Sequence, residues 1–159
     1  MALVRPAEPR DHDQVLALLM EVHGHHLAAA PGIFQPSSPA LLPAAVFAQR
    51  LAEPNQIILV IEEAGALLGF AYLVHVHRPE NPVLVEREYL TIEHFGVSQR
   101  HQRQGYGRQL VDAILAEAAR RGLTRIDLSV WAANAEAIAF YERLGFQTYL
   151  HRMQRSLER

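Results

Sequence analysis

Residues 97–111, which read VSQRHQRQGYGRQLV, decide how this chain is interpreted. The apolar run of residues 90–97 predicts a β-strand, and the amphipathic pattern that follows the stretch predicts a helix. Gly105 and Gly107 lie between the two, among the basic side chains of Arg100, His101, Arg103 and Arg108. The first N–H groups of a helix have no intrahelical partner, and glycine leaves them accessible. The junction therefore predicts a binding site for a phosphorylated ligand.

Two well-known phosphate-binding patterns do not fit this junction. A Walker loop needs Gly-x-x-x-x-Gly-Lys-Ser/Thr, and the chain contains no such run. A dinucleotide fingerprint needs a third glycine where Leu110 stands, and its first glycine should follow the strand directly. Here seven residues separate Val97 from Gly105. The sequence thus disfavours a nucleotide-binding oxidoreductase.

A different motif does fit, and two flanking segments support it. Residues 102–107, Gln-Arg-Gln-Gly-Tyr-Gly, match Gln/Arg-x-x-Gly-x-Gly/Ala. Residues 92–97 (IEHFGV) precede the motif, and residues 134–146 (NAEAIAFYERLGF) match Asn-x-x-Ala-x-x-x-Tyr-x-x-x-Gly-Phe. In this order and spacing the three segments resemble the GCN5-related N-acetyltransferases, the GNAT superfamily. The resemblance extends from residue 3 to about residue 157.

Length and composition predict one globular domain over residues 1–159. Half of the residues are apolar, a fifth are charged, and there is no cysteine, which excludes disulfides and a thiol nucleophile. The formal charge of −2 argues against nucleic-acid binding. The N-terminus lacks the apolar core of a signal peptide, and no apolar run is long enough to span a membrane. We therefore expect a cytoplasmic protein.

Hydrophobic periodicity predicts the element order β-α-α-β-β-β-α-β-α-β. The first helix should begin at an Asp11 cap with Gln14 completing a capping box, and should fray near Gly24. Only the later crossovers imply parallel pairing, so we expect an α/β fold with a mixed sheet. The predicted strands are residues 3–7, 56–62, 67–77, 87–97, 125–130 and 146–157, and the remaining helices are residues 42–52, 105–121 and 134–144. The resemblance implies the GNAT (acyl-CoA N-acyltransferase) fold, a mostly antiparallel central sheet with flanking helices that splays between the strands ending near Val97 and Val130.

The resemblance also implies acetyl-CoA as the cofactor. Amides of residues 102–107 would hold the pyrophosphate, and amides near a bulge at residues 95–97 would polarise the thioester carbonyl. Asn134 would contact the cofactor as well as cap its own helix. The implied cofactor-binding residues are Phe95, Gly96, Val97, Gln102, Arg103, Gln104, Gly105, Tyr106, Gly107, Arg108 and Asn134.

The resemblance suggests catalytic roles for three side chains. Tyr141 would protonate the departing CoA thiolate, although a packing tyrosine explains the same position. Glu93 is the first candidate for the base and His94 the second, with a water as a further alternative. These two residues are neighbours in mid-strand, so they should face opposite sides of the sheet.

The acceptor amine is not identified by the sequence. Residues 26–34 resemble the variable region that lines the acceptor pocket in the superfamily. Small amines, amino-acid derivatives, polyamines, aminoglycosides and peptide N-termini all remain open, as does a homodimer. The nine histidines show no metal-ligand spacing, so we expect no metal. The leading hypothesis is direct acetyl transfer to a primary amine of a small molecule or peptide, and the alternative is a non-catalytic acyl-CoA-binding regulatory domain.

Overall fold

A computed structural model describes residues 1–157. The chain divides into a larger unit, residues 1–129, and a smaller unit from residue 130 onward. The larger unit contains β1 (Leu3–Pro6), α1 (His12–Ala29), α2 (Ala44–Ala52), β2 (Gln56–Glu63), β3 (Ala66–Arg78), β4 (Arg87–Val97), α3 (Tyr106–Arg120) and β5 (Ile126–Leu128). The smaller unit contains α4 (Ala135–Arg143). A single domain over residues 1–159 stays a prediction.

The sheet follows the order β1-β2-β3-β4-β5 and confirms the mixed, mostly antiparallel arrangement. Every neighbouring pair is antiparallel except β4 and β5, which run parallel. That parallel pairing covers only Leu90 to Ile92 of β4, opposite Ile126 to Leu128. Because β4 continues to Val97 after β5 has ended, the edge of β4 opens between them, at the position of the expected splay.

The core of the larger unit lies on both faces of the sheet. Helices α1 and α2 cover one face, where Val15, Leu18 and Phe47 pack against Val60 and Phe70. Alternation places the buried residues Leu59, Ile61, Ala71 and Leu73 on the opposite face. Helix α3 packs against β2, β3 and β4, and it buries Leu110, Val111, Ile114 and Ala118.

The first helix differs from its prediction at both ends. Asp11 forms no side-chain cap; its carboxylate instead accepts hydrogen bonds from Arg5 at 2.8 and 2.9 Å. Gln14 completes no capping box and bonds across to the amide of Leu67 at 2.8 Å. The helix also continues through Gly24 to Ala29 rather than fraying. A single helical glycine costs about 1 kcal/mol, which the packing of the preceding turns offsets.

The bulge in β4 also differs from its prediction. Tyr72 pairs with His94 and Leu73 pairs with Ile92, so Glu93 is the extra residue. The bulge therefore lies at Glu93 rather than at residues 95–97. An extra residue reverses the side-chain and amide alternation of the strand that follows it. Glu93 and His94 consequently do not obey the simple two-sided alternation that a regular strand would impose.

In the smaller unit, the predicted helix is present and the predicted final strand is not. Asn134 caps α4 by accepting a hydrogen bond from the amide of Ala137 at 3.1 Å, and Gly145 ends the helix region with φ of +90°. Residues 146–157 form no strand. An apolar pattern is not sufficient for a strand, because a strand also needs ladder hydrogen bonds to a neighbour.

None of the helices in residues 1–157 combines the length and the hydrophobicity that crossing a bilayer requires.

Candidate active site

The glycine-rich junction forms the start of α3. After the turn Gln99–His101 the chain passes through Arg103 at φ +60° and reaches Gly105, the N-cap, at φ +88°. This left-handed conformation favours glycine, and no atom lies within 4 Å of where a Gly105 Cβ would be. Within residues 1–157 no side chain caps this helix. The amides of the first turn thus have no side-chain cap, as an anion site requires.

Short polar contacts hold this loop in shape. Gln102 donates from Nε2 to the carbonyl of Val97 at 3.3 Å, and Gln104 donates from Nε2 to the carbonyl of Arg100 at 3.3 Å. Nδ1 of His101 is buried and has no hydrogen-bond partner in the described part of the chain. An uncapped helix start fits a phosphorylated group better than it fits a closed structural turn.

Helix α1 is tied directly to the start of this loop. The carboxylate of Glu21 accepts a hydrogen bond from the amide of Gln99 at 3.0 Å, and Ser98 Oγ lies 3.4 Å from it. The side chain of Gln99 also reaches Nε2 of His25 at 3.1 Å. Helix α1 therefore connects the glycine-rich loop to a pocket between α1 and β4.

The end of β4 presents backbone amides to the open edge of the sheet. The amide of Ser98 donates to Leu68 on β3 at 2.8 Å, so the amide of Val97 faces the other way, by alternation. Strand β5 ends at Leu128, opposite Ile92, and leaves that edge without a strand partner among residues 1–157. The amide of Val97 can serve there as a donor to a ligand oxygen.

The bulge brings Glu93 and His94 beside Tyr72. The ring of His94 stacks on Tyr72 at a centroid distance of 5.9 Å. Burial, with the charge of Arg50 and nearby histidines, lowers the pKa of His94 to about 4. Glu93 is exposed, and in the described structure it has no ion-pair partner. His94 is therefore neutral at physiological pH, whereas Glu93 has open access to a ligand.

A pocket of about 120 Å³ lies between α1 and β4. The ring of Phe34 contacts the rings of His23 and His26 at 5.6 and 5.5 Å. Burial and the neighbouring histidines lower the pKa of His26. The pocket is lined by Leu19, Val22, His23, His26, Phe34, Leu41 and His94. Its wall is thus largely apolar and aromatic, and the predicted acceptor segment, residues 26–34, contributes two of these side chains.

Gly96 allows this pocket to form. A Cβ at Gly96 would collide with the side chain of Val22 on α1. Glycine therefore lets the helix approach the strand closely, and this approach carries the histidines of α1 to His94.

Arg50 and Tyr72 were not among the predicted site residues. The guanidinium carbon of Arg50 lies 4.3 Å from the ring centroid of Tyr72, whose hydroxyl donates to Gln56 Oε1 at 2.7 Å. An arginine on an amphipathic helix resembles a solvated residue, and a tyrosine in an apolar strand resembles a core residue. Neither carries a sequence signal of a site, because the register of β3 against β4 brings Tyr72 to His94 and the packing of α2 brings Arg50 to Tyr72.

The smaller unit holds two of the predicted residues, Tyr141 and Asn134. Tyr141 contacts the rings of Phe140 and Phe146 at 5.2 and 5.5 Å, and burial raises the pKa of its hydroxyl above the ordinary value. The oxygen of Asn134 is used in the cap of α4, while its NH₂ group is not part of that bond. The roles proposed for these two residues come from the motif.

Metal-ligand geometry is lacking within residues 1–157. No three side chains of His, Asp or Glu in this range lie in position to share a metal ion.

A model of the acetyltransferase (GNAT) family matches residues 19–146. This match covers most of the chain, so the protein belongs to the GNAT family.

Curated relatives are N-acetyltransferases. N-acetyltransferase family 8 member 3 of Mus musculus is 29% identical over 113 residues, which are 67% of this chain and 48% of that protein. The ribosomal protein bS18-alanine N-acetyltransferase of Escherichia coli (strain K12) is 45% identical over 56 residues, which are 35% of this chain and 38% of that protein. The matches thus span about half the length of these relatives or less.

Solved structures share the fold. A mutant of the BH1408 protein from Bacillus halodurans has a TM-score of 0.93 at 25% identity, with 98% of this chain and 99% of that chain covered. AAC(6')-Iy, in complex with the bisubstrate analog CoA-S-monomethyl-acetylneamine, has a TM-score of 0.73 at 16% identity, with 99% of each chain covered. The second likeness concerns the fold alone.

Proposed function

We propose that this protein transfers an acetyl group from acetyl-CoA directly to a primary amine of a small molecule or peptide. The observation that carries the proposal is the uncapped start of α3, where Gly105 is left-handed and open in front. Family membership supports the pyrophosphate of CoA as the ligand of this anion site. When bound, acetyl-CoA supplies the acetyl group as a thioester, which an amine attacks without a covalent enzyme intermediate.

The first turn of α3 and its loop hold the cofactor in this proposal. Gln104, Gly105, Tyr106, Gly107 and Arg108 offer amides to phosphate oxygens, and the amide of Val97 polarises the acyl carbonyl. Gln102 and Arg103 shape the loop, Phe95 and Gly96 form the adjoining strand, and Asn134 donates from its amide group. These roles follow the family motif, and the geometry of the loop supports them.

Glu93 takes the proton from the attacking amine, directly or through a water. The bulge isolates Glu93 from the sheet ladder, and its carboxylate is exposed. His94 is the second candidate; it lines the pocket, and burial lowers its pKa to about 4. Tyr141 gives a proton to the leaving sulfur, because its raised pKa keeps it protonated at neutral pH.

Turnover of acetyl-CoA with a panel of primary amines tests the proposal. We expect free thiol to appear only when protein, acetyl-CoA and an accepted amine are all present. Glu93→Gln should lower turnover about 10²- to 10⁴-fold, the range for loss of a general base, with nearly unchanged CoA affinity by calorimetry.

His94→Gln is the matched variant, because it removes the other candidate base. CoA binding without thiol release for every amine would instead identify a non-catalytic acyl-CoA-binding domain. Full turnover in Glu93→Gln would assign the proton transfer to His94 or to water.

A further inference from the structure

Arg50 is a cation without an anionic partner among residues 1–157, and the ring of Tyr72 connects it to His94 in the wall of the candidate acceptor pocket. Its guanidinium rests on the ring of Tyr72, 4.3 Å from the centroid, and it makes no hydrogen bond or ion pair to any residue in the described range 1–157. It is only partly exposed. A guanidinium fork that stacking holds in place, with all of its N–H groups unused, is preorganised for a carboxylate.

The position of Arg50 connects it to the pocket through two ring contacts. Tyr72 stacks on His94 at 5.9 Å, and His94 is one of the side chains that line the pocket. The charge of Arg50 also contributes to the lowered pKa of His94. Its field therefore reaches the place where an acceptor would enter.

Glu93 brings a charge of opposite sign to the same neighbourhood. It is the bulge residue of β4 opposite Tyr72 and Leu73. Burial raises the pKa of Tyr72, the charge of Arg50 lowers it and the charge of Glu93 raises it. Glu93 likewise has no ion-pair partner within residues 1–157. An unpaired anion and an unpaired cation near one tyrosine match a ligand that carries both an amine and a carboxylate.

The geometry points to an acceptor that carries its own carboxylate beside the reacting amine, as a free amino acid does, with Arg50 binding that carboxylate. This inference rests on the proposed acetyl transfer. That reaction places the amine of the acceptor at Glu93, so the carboxylate of the acceptor lies toward Arg50. The apolar wall formed by Leu19, Val22 and Phe34 suits an apolar side chain. An amine without a carboxylate, by contrast, would leave the guanidinium of Arg50 without an anionic partner.

Equilibrium binding tests the carboxylate site independently of turnover. The probes are N-acetyl-leucine, N-acetyl-phenylalanine and N-acetyl-glycine, each compared with its carboxamide by calorimetry on the CoA-saturated protein. We expect the best acid to bind about 10- to 100-fold more tightly than its amide, as loss of a charge-assisted bidentate contact predicts.

Two variants of Arg50 and one control sharpen this test. Arg50→Met keeps the apolar stem over Tyr72 and should abolish the preference for the acid, whereas Arg50→Lys should retain part of it. Arg78→Ala, an exposed arginine at the end of β3, removes the same net charge and should leave the preference unchanged. Equal binding of acid and amide, absence of binding by all three acids, or a preference that survives Arg50→Met would overturn the inference.

Measurements of thiol release distinguish a failure of the carboxylate site from a failure of the proposed acetyl transfer. Thiol release with leucinamide equal to that with leucine, in a protein without carboxylate preference, would sink the carboxylate site and leave acetyl transfer standing. A carboxylate preference in binding that disappears in Arg50→Met, without thiol release from any amine, would support the site and overturn acetyl transfer.

Discussion

Tyr141 illustrates how a single residue can be fitted for acid chemistry by its surroundings. A phenol is already protonated at neutral pH, and the packing of Phe140 and Phe146 against its ring favours the neutral form further. The hydroxyl of Tyr141 therefore carries its proton at neutral pH and can donate it to the leaving sulfur. The raised pKa of Tyr141 also means that the phenol itself introduces no loss of rate below strongly alkaline pH.

Replacing Tyr141 with phenylalanine separates the proton from the packing. Because the ring contacts persist in Tyr141→Phe, the free energy of unfolding and the CoA affinity should change little. The rate of thiol release should fall, by about 10- to 10³-fold if the hydroxyl is the acid. Steady-state kinetics with chemical denaturation as the control measures both; an unchanged kcat would make Tyr141 a packing residue.

At the scale of elements, helix α1 joins the two halves of the candidate site in the larger unit. Its last turns supply His23 and His26 to the pocket, while Glu21 binds the amide of Gln99 ahead of the glycine loop. The close approach of α1 to β4 depends on Gly96. A displacement of this helix would therefore change the pocket and the loop together.

A substitution at the start of α3 tests whether its amides bind the pyrophosphate of CoA. Gly107 has a helical position in the first turn, so valine can be accommodated by the backbone there, yet its side chain would obstruct the approach of a phosphate to the amides. Gly107→Val should weaken CoA binding about 10-fold or more, measured by calorimetry.

Gly24→Val is the matched control, because Gly24 lies inside α1 with no atom within 4 Å of its Cβ position. It tests the effect of a β-branched residue in a helix away from the loop. Undiminished CoA affinity in a folded Gly107→Val protein would place the pyrophosphate elsewhere.

At the scale of the whole molecule, the buried imidazole of His94 makes the free energy of unfolding decrease as the pH falls. The pKa of His94 falls from an ordinary 6.5 to about 4 on folding, so between these values the unfolded chain binds a proton that the folded chain does not. Stability from this group is complete above pH 6.5 and is lost as the pH falls toward 4. His26, whose pKa is also lowered, acts in the same direction.

We therefore expect the free energy of unfolding to decrease between pH 6.5 and pH 4.5 in urea titrations. His94→Phe, which keeps an aromatic ring and removes the titrating group, should show a shallower decrease. Asp11 is no rival cause, because the pairing with Arg5 lowers its pKa below an ordinary 3.8, outside this window. Equal slopes for the two proteins would show that His94 does not titrate abnormally.

The sequence by itself determined most of the elements, the mixed sheet and the glycine loop, but not the length of α1 or the absence of a strand in residues 146–157. These features are local: strand periodicity predicted β4 at residues 87–97, and the turn chemistry of Gly105 and Gly122 marked the ends of α3, where both adopt positive φ. The family motifs then supplied the roles of Glu93, His94 and Tyr141, which stay predictions.

Only the tertiary structure decided which side chains meet. The bulge at Glu93, the contact of Arg50 with Tyr72 and the stacking of Tyr72 on His94 all depend on the register between β3 and β4 and on the packing of α2. Register and helix packing are long-range properties that no short window of sequence encodes. The same reason explains the wrong prediction for residues 146–157, whose apolar pattern found no strand partner and stayed outside the sheet.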